Sequence, residues 1–144
     1  MLKTLIFLLF TLVSTLLFSQ EKVKWIYSFN SESSTVQINA IIDEGWHLYS
    51  QYLDNEIGPV PTSITFKESR DYFIVGNTIE PESIKEYDEN FEGELNFFKG
   101  EVTFIQKIKV KKYTTVKGVV TFMVCNDSMC LPPKDIEFTI KINK

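Results

Sequence analysis

Cysteine and histidine are nearly missing from this chain, with two of the former and one of the latter in 144 residues. A single imidazole cannot build a His-based metal cage. No nucleophile, histidine and acid fall around His47 in a pattern that marks a hydrolase. Glycine contributes six residues and forms no phosphate-cradling loop. No basic cluster is present: 15 Lys and Arg face 19 Asp and Glu, for a formal net charge of -4. Nucleic acid is therefore a poor partner, and an anionic membrane a poor surface. Beyond the first twenty residues no apolar run approaches membrane length. Internal repeats, low-complexity tracts and a helical period are also lacking. Aromatic residues, at 14%, argue against disorder.

What the first twenty residues do contain is an export signature. Lys3 supplies one positive charge, and residues 4–18 are apolar except for Thr and Ser. About fifteen residues is short for a bilayer span and suits a signal-peptide core. Cleavage after Ser19 is expected, leaving Gln20 first in a single domain over residues 20–144 with no further membrane span. The alternative is an uncleaved anchor. No Cys follows the run, so a lipoprotein is not expected. An exported compartment permits disulfides.

The remaining sequence reads as strands and turns. Residues 23–29 alternate, with Val23, Trp25, Tyr27 and Phe29 on one face. Further strands are expected at 36–42, 46–52, 63–66, 72–75, 95–98, 102–110, 115–124 and 136–142. Gly58, Pro59 and Pro61 break the ladder before 63–66. Residues 78–94 are polar and acidic without a clear period, and read as a long surface loop with one or two short edge strands. Loops of that length in a compact domain tend to be functional. Seven to nine short strands with regular turn signals predict an all-β, immunoglobulin-like antiparallel β-sandwich.

Cys125 and Cys130 are separated by four residues at the end of the strongest strand pattern. A bridge between them closes a very small loop, which stabilises by about 2 kcal/mol, against about 4.7 kcal/mol for a loop near 100 residues. A bridge kept for stability would rather span the fold, so a redox-active disulfide is the leading reading. Asn126, Asp127 and Ser128 suit a turn, and Pro132-Pro133 stiffens the exit. Such a loop leaves at least one sulfur within reach of an attacking thiolate. Two other classes stay open. One is a secreted binding module with a structural staple. The other is a Cu(I) carrier using both cysteines with Met123 and Met129. Nothing else in the residues asks for a metal or a cofactor.

The run from Cys125 through Met129-Cys130-Leu131 to Pro132-Pro133, with Gly45-Trp46-His47-Leu48-Tyr49-Ser50 and Pro61-Thr62, resembles a known family. It is similar to the N-terminal periplasmic domain of the transmembrane thiol:disulfide interchange protein DsbD. The resemblance covers roughly residues 23–142. It implies an immunoglobulin-like domain in the periplasm of a Gram-negative bacterium, carrying one reversible disulfide. It also implies a thioredoxin-like CxxC domain of a membrane thiol reductase as electron donor. A periplasmic disulfide isomerase or a thioredoxin-like protein of cytochrome c maturation would be the acceptor. By the same resemblance Cys130 forms the mixed disulfides and Cys125 resolves them.

The resemblance places His47 and Tyr49 beside the pair as its aromatic neighbours. Phe91, two residues before Gly93 and preceded by Glu89 and Asn90, corresponds to a cap that shields the sulfurs. His47 stands where an aromatic ring is usual, and Asn90 where an acid is usual. Read from the residues alone, each has a plainer alternative: His47 as a half-exposed surface residue, Tyr49 as a core aromatic with a wet hydroxyl, Phe91 as a loop anchor. The acidic run from Glu86 to Glu89 is most simply solvated. The chain ends at Lys144 without a transmembrane or thioredoxin segment, so electrons are expected to arrive from a separate polypeptide.

Overall fold

The structure, a computed structural model, describes residues 21–53 and 58–143. The expected signal segment and its cleavage site lie outside the described residues. Among the described residues eleven strands follow in order: β1 (Val23–Asn30), β2 (Thr35–Ile42), β3 (His47–Tyr49), β4 (Ser63–Phe66), β5 (Tyr72–Ile79) and β6 (Ile84–Asp88), then β7 (Gly93–Phe98), β8 (Glu101–Val110), β9 (Thr114–Phe122), β10 (Val124–Cys125) and β11 (Lys134–Ile142). They pair antiparallel in three sheets, ordered β1-β2-β8-β5, β10-β3-β7-β6 and β11-β9-β4. The architecture is the expected all-β immunoglobulin-like sandwich. No helix among the described residues is long and apolar enough to cross a membrane.

Period-two alternation builds the main core. Val36, Ile38, Ala40 and Ile42 of β2 and Val102, Phe104 and Ile108 of β8 point inward against Val116, Val120, Phe138 and Ile140 from the opposite sheet. Trp25 lies against Phe104 and Phe122, and Tyr27 stacks on Phe138. Gly118 permits a close approach there: a Cβ would come within 2.3 Å of the Thr65 carbonyl and 2.4 Å of the Phe138 ring. One buried polar residue interrupts the inner row of β8. The Gln106 amide donates to the carbonyls of Val75 and Gly76, where the β5 ladder shifts register, and accepts from Thr78.

One expected strand is shorter. The strand expected over 46–52 shrinks to His47–Tyr49. Ser50 still donates its N–H to the Asn96 carbonyl, but its hydroxyl, with the Gln51 N–H, turns to the Glu80 carboxylate and ends the strand. The segment expected over 78–94 to be a loop with one or two short edge strands holds the end of β5 and one such edge strand, β6, with a four-residue turn before β7. The bounds of β6 could not be read from a period because only Asp88 of its five residues is buried. It is an edge strand, so no alternating apolar face was required of it.

Candidate functional site

The small sheet β10-β3-β7-β6 uses both its faces. Leu48, Phe98 and Val124 face the main core. One residue along each strand, Tyr49, Phe97 and Cys125 turn the other way and join Leu95 in a second cluster. Cys125 lies directly across from His47, Val124 from Leu48, and Tyr49 from Phe97. Strand register alone thus brings His47, Tyr49 and Cys125 to one surface.

Beyond Cys125 the chain turns on itself. The Asn126 side chain accepts from the N–H groups of Ser128 and Met129, and the Asn126 N–H donates to the Met129 carbonyl. This side-chain-supported turn brings Cys130 back beside Cys125 in an isolated bridge, with a disulfide between them. Leu131 then donates to the Val124 carbonyl. Burial separates the two sulfurs: Cys125 is 0% exposed, while Cys130 is half-buried at the surface.

The turn between β6 and β7 packs against the same cluster. Asp88 is 3% exposed, and its Oδ1 accepts from the N–H groups of Asn90 and Phe91 at 2.8 and 3.3 Å. Glu92, at φ 52°, completes the turn back into β7. Phe91 is thereby lowered onto the second cluster with Leu53, Met123 and Cys130, its ring 6.0 Å edge-on from that of Tyr49. Gly58 leaves room for it, since a Cβ there would meet the Phe91 ring at 2.8 Å. The Asn90 amide donates to the Asn126 carbonyl at 2.8 Å, tying the turn to the disulfide loop.

Behind the disulfide lies a buried polar knot. Asp88 Oδ2 accepts from the Tyr49 hydroxyl at 2.6 Å and lies 3.1 Å from His47 Nε2. Burial by itself raises a carboxyl pKa. Hydrogen bonds from Tyr49, the Asn90 backbone and His47 outweigh it and hold Asp88 below its ordinary value, so it is ionised at neutral pH. Burial pushes the His47 pKa below 6.5 despite that carboxylate. Burial, together with the Asp88 charge, drives the Tyr49 pKa far upward and keeps its proton in place.

A match of residues 15–142 to the family model described as thiol:disulfide interchange protein DsbD, N-terminal, decides the relationship. The chain belongs to the DsbD N-terminal domain family. That family is known for thiol–disulfide exchange. The DsbD N-terminal domain of Neisseria meningitidis in its reduced form shares the fold at TM-score 0.63 and 18% identity, over 85% of this chain and 87% of that one. The complex of the DsbD and PilB N-terminal domains from the same organism matches at TM-score 0.62 and 17% identity, over 87% of each chain. The N-terminal periplasmic domain of ScsB from Proteus mirabilis matches at 0.56 and 19%, over 81% of this chain and 44% of that one. No curated protein matches significantly in sequence.

The structure brings Cys125, Cys130, His47, Tyr49 and Phe91 together around one cluster. Glu89 is exposed and takes no part in the knot. The acidic run is not uniformly solvated: Asp88 is its buried member and supplies the carboxylate. Asn90, expected in an acid's place, ties the turn to the disulfide loop instead. Asp88 was missed because charged neighbours surround it and His47 lies 41 residues away. An Asp heading the turn Asp88-Glu89-Asn90-Phe91 was the available signal. No group of three or more His, Cys, Asp or Glu side chains that could hold a metal occurs among the described residues.

Proposed function

We propose that this domain relays electrons in the periplasm by thiol–disulfide exchange at Cys125–Cys130. A thioredoxin-like CxxC domain of a membrane thiol reductase is the donor. A periplasmic disulfide isomerase or thioredoxin-like protein, including one of cytochrome c maturation, is the acceptor. In the export expectation, residues 1–19 deliver the chain there and are removed. The observation that carries the reading is the unequal burial of the sulfurs. Exchange requires a thiolate to reach one sulfur along the S–S axis, and only the half-buried Cys130 offers such an approach. Cys130 forms the mixed disulfide, and Cys125, sealed behind it, resolves it. Phe91 is the cap, held over the pair by its turn and lifted when a partner docks.

Trapping tests the assignment. Cys125→Ala should accumulate a mixed disulfide with a CxxC protein, because no resolving thiol remains, whereas Cys130→Ala should accumulate little. Equal trapping by both, or none by either, refutes the roles. The reduction potential separates exchange from a staple: a structural bridge lies below about −300 mV, an exchanging one above it.

A further inference from the structure

His47 is the chain's single histidine, and it faces Cys125 across the β3–β10 pair. Residues so opposed hold their Cβ atoms about 5 Å apart. The imidazole is fixed on several sides. Phe97 lies over it with centroids 4.5 Å apart, and Tyr49 stands edge-on at 5.1 Å. Its Nε2 is 3.1 Å from both Asp88 Oδ2 and the Tyr49 hydroxyl oxygen. An ionised carboxylate only accepts, and Tyr49 already donates to the same Oδ2. Nε2 must therefore carry the hydrogen, which leaves Nδ1 of the neutral ring as an acceptor.

The surrounding charges act on the ring from every packed element. Asp88 on β6 and Asp127 in the disulfide loop favour a protonated ring, and Lys99 after β7 opposes it. With burial dominant the ring is neutral near pH 7, which is the state able to take a proton.

We propose that His47 is the general base for Cys125, oriented by Asp88 and Tyr49 in a cysteine–histidine–carboxylate relay on the buried side of the disulfide. This rests on the reading that Cys130 is the exchanging sulfur. A thiol buried in apolar surroundings ionises poorly, so Cys125 resolves slowly unless a neighbour takes its proton. In the mixed disulfide between Cys130 and a partner thiol, His47 Nδ1 removes the proton from Cys125. The resulting thiolate attacks Cys130 Sγ. The Cys125–Cys130 bond forms, the Cys130–partner bond breaks, and the partner leaves as a thiolate with the electron pair. The domain is oxidised by two electrons, its partner reduced by two, and the proton passes from His47 to the departing sulfur or to water. The buried imidazolium formed on the way needs a counter-charge, and Asp88 supplies it. In the reverse direction the imidazolium protonates Cys125 as it leaves.

The test uses the reduced domain and a chromogenic aromatic disulfide that releases nitrothiobenzoate in stopped flow. The first equivalent reports attack by Cys130, the second reports resolution by Cys125. A thiol of pKa about 8.5 is only about 3% ionised at pH 7, so base assistance is worth up to roughly 30-fold. His47→Phe, which keeps a packed ring, should slow the second phase about 10-fold while changing the first less than about twofold. It should also move the second phase's pH midpoint upward. Asp88→Asn should act in the same direction and serves if His47→Phe does not fold. His47→Gln keeps a donor toward Asp88 without a titrating nitrogen and should remain slow. A parent-like second phase and midpoint in His47→Phe, or recovery of the parent rate in His47→Gln, overturns the inference alone. A faster first phase in Cys130→Ala than in Cys125→Ala overturns the assigned roles, and this inference with them.

Discussion

The sandwich core and the disulfide site are packed on opposite principles, although one small sheet contributes to both. Among the described residues the main cluster joins eighteen buried side chains, and only Tyr72, whose hydroxyl donates to the Lys67 carbonyl, carries a polar side-chain atom. Among the described residues the second has Tyr49, Leu95, Phe97 and Cys125 as its buried members, and its outer wall of Leu53, Phe91, Met123 and Cys130 is partly buried. Its interior is completed by a carboxylate and an imidazole. Apolar burial is undirected and scales with area, so the first cluster carries stability. Hydrogen bonds around a buried charge are directional and fail when one partner goes, so the second cluster carries geometry.

The largest effect should come from breaking the first region. Phe104, fully buried against Phe98 and Trp25, leaves a cavity on truncation. Phe104→Ala should cost about 3–5 kcal/mol in urea unfolding, with disulfide exchange by the folded fraction unchanged. Loss of exchange without loss of stability would erase the division between the clusters.

Asp88→Ala should cost about 2 kcal/mol, because the Tyr49 hydroxyl and two backbone N–H groups lose a charged acceptor. Unlike Phe104→Ala, it should also loosen the cap turn, seen as faster hydrogen exchange at Asn90 and Phe91. Unchanged exchange there would show that Asp88 does not organise the turn.

Reduction of the disulfide should cost about 2 kcal/mol or less, since the loop it closes is short. The reduced domain should remain folded at 25 °C by circular dichroism. Global unfolding on mild reduction would move the disulfide into the stabilising region and favour a staple.

Phe91→Ala should cost about 1 kcal/mol, because the ring is only half-buried. Alkylation of reduced Cys130 by a small reagent should nevertheless speed up several-fold, with the reduction potential nearly unchanged. Alkylation at the parent rate would make Phe91 a loop anchor.

The smallest effect is a slope of stability with pH. Burial lowers the folded-state pKa of His47 below the ordinary 6.5, so the unfolded chain binds that proton more readily. Stability should therefore fall as pH drops below about 6.5, and His47→Phe should flatten that part of the curve. Asp88, whose pKa is lowered from 3.8, adds a second loss in more acid solution as the carboxylate protonates. An unchanged slope in His47→Phe would place the titration elsewhere.

By itself the sequence determined the alternating strands, the sandwich and the position of the cysteine pair at a strand's end. Those depend on period-two burial and turn chemistry, which act over a few residues: 63–66 became β4 without adjustment, and Asn126 forms its turn. Tertiary structure alone decided which sulfur is sealed, that His47 is buried rather than half-exposed, and that the Tyr49 hydroxyl meets a carboxylate instead of water. It also chose Asp88 rather than Glu89. Both are acids in the same turn, and only the β6–β7 register, with Asp88 opposite Gly93, directs one inward. A local pattern reports which face of a strand is buried. The side chain that meets it from 41 residues away is fixed by sheet register and packing, which no short window of sequence contains.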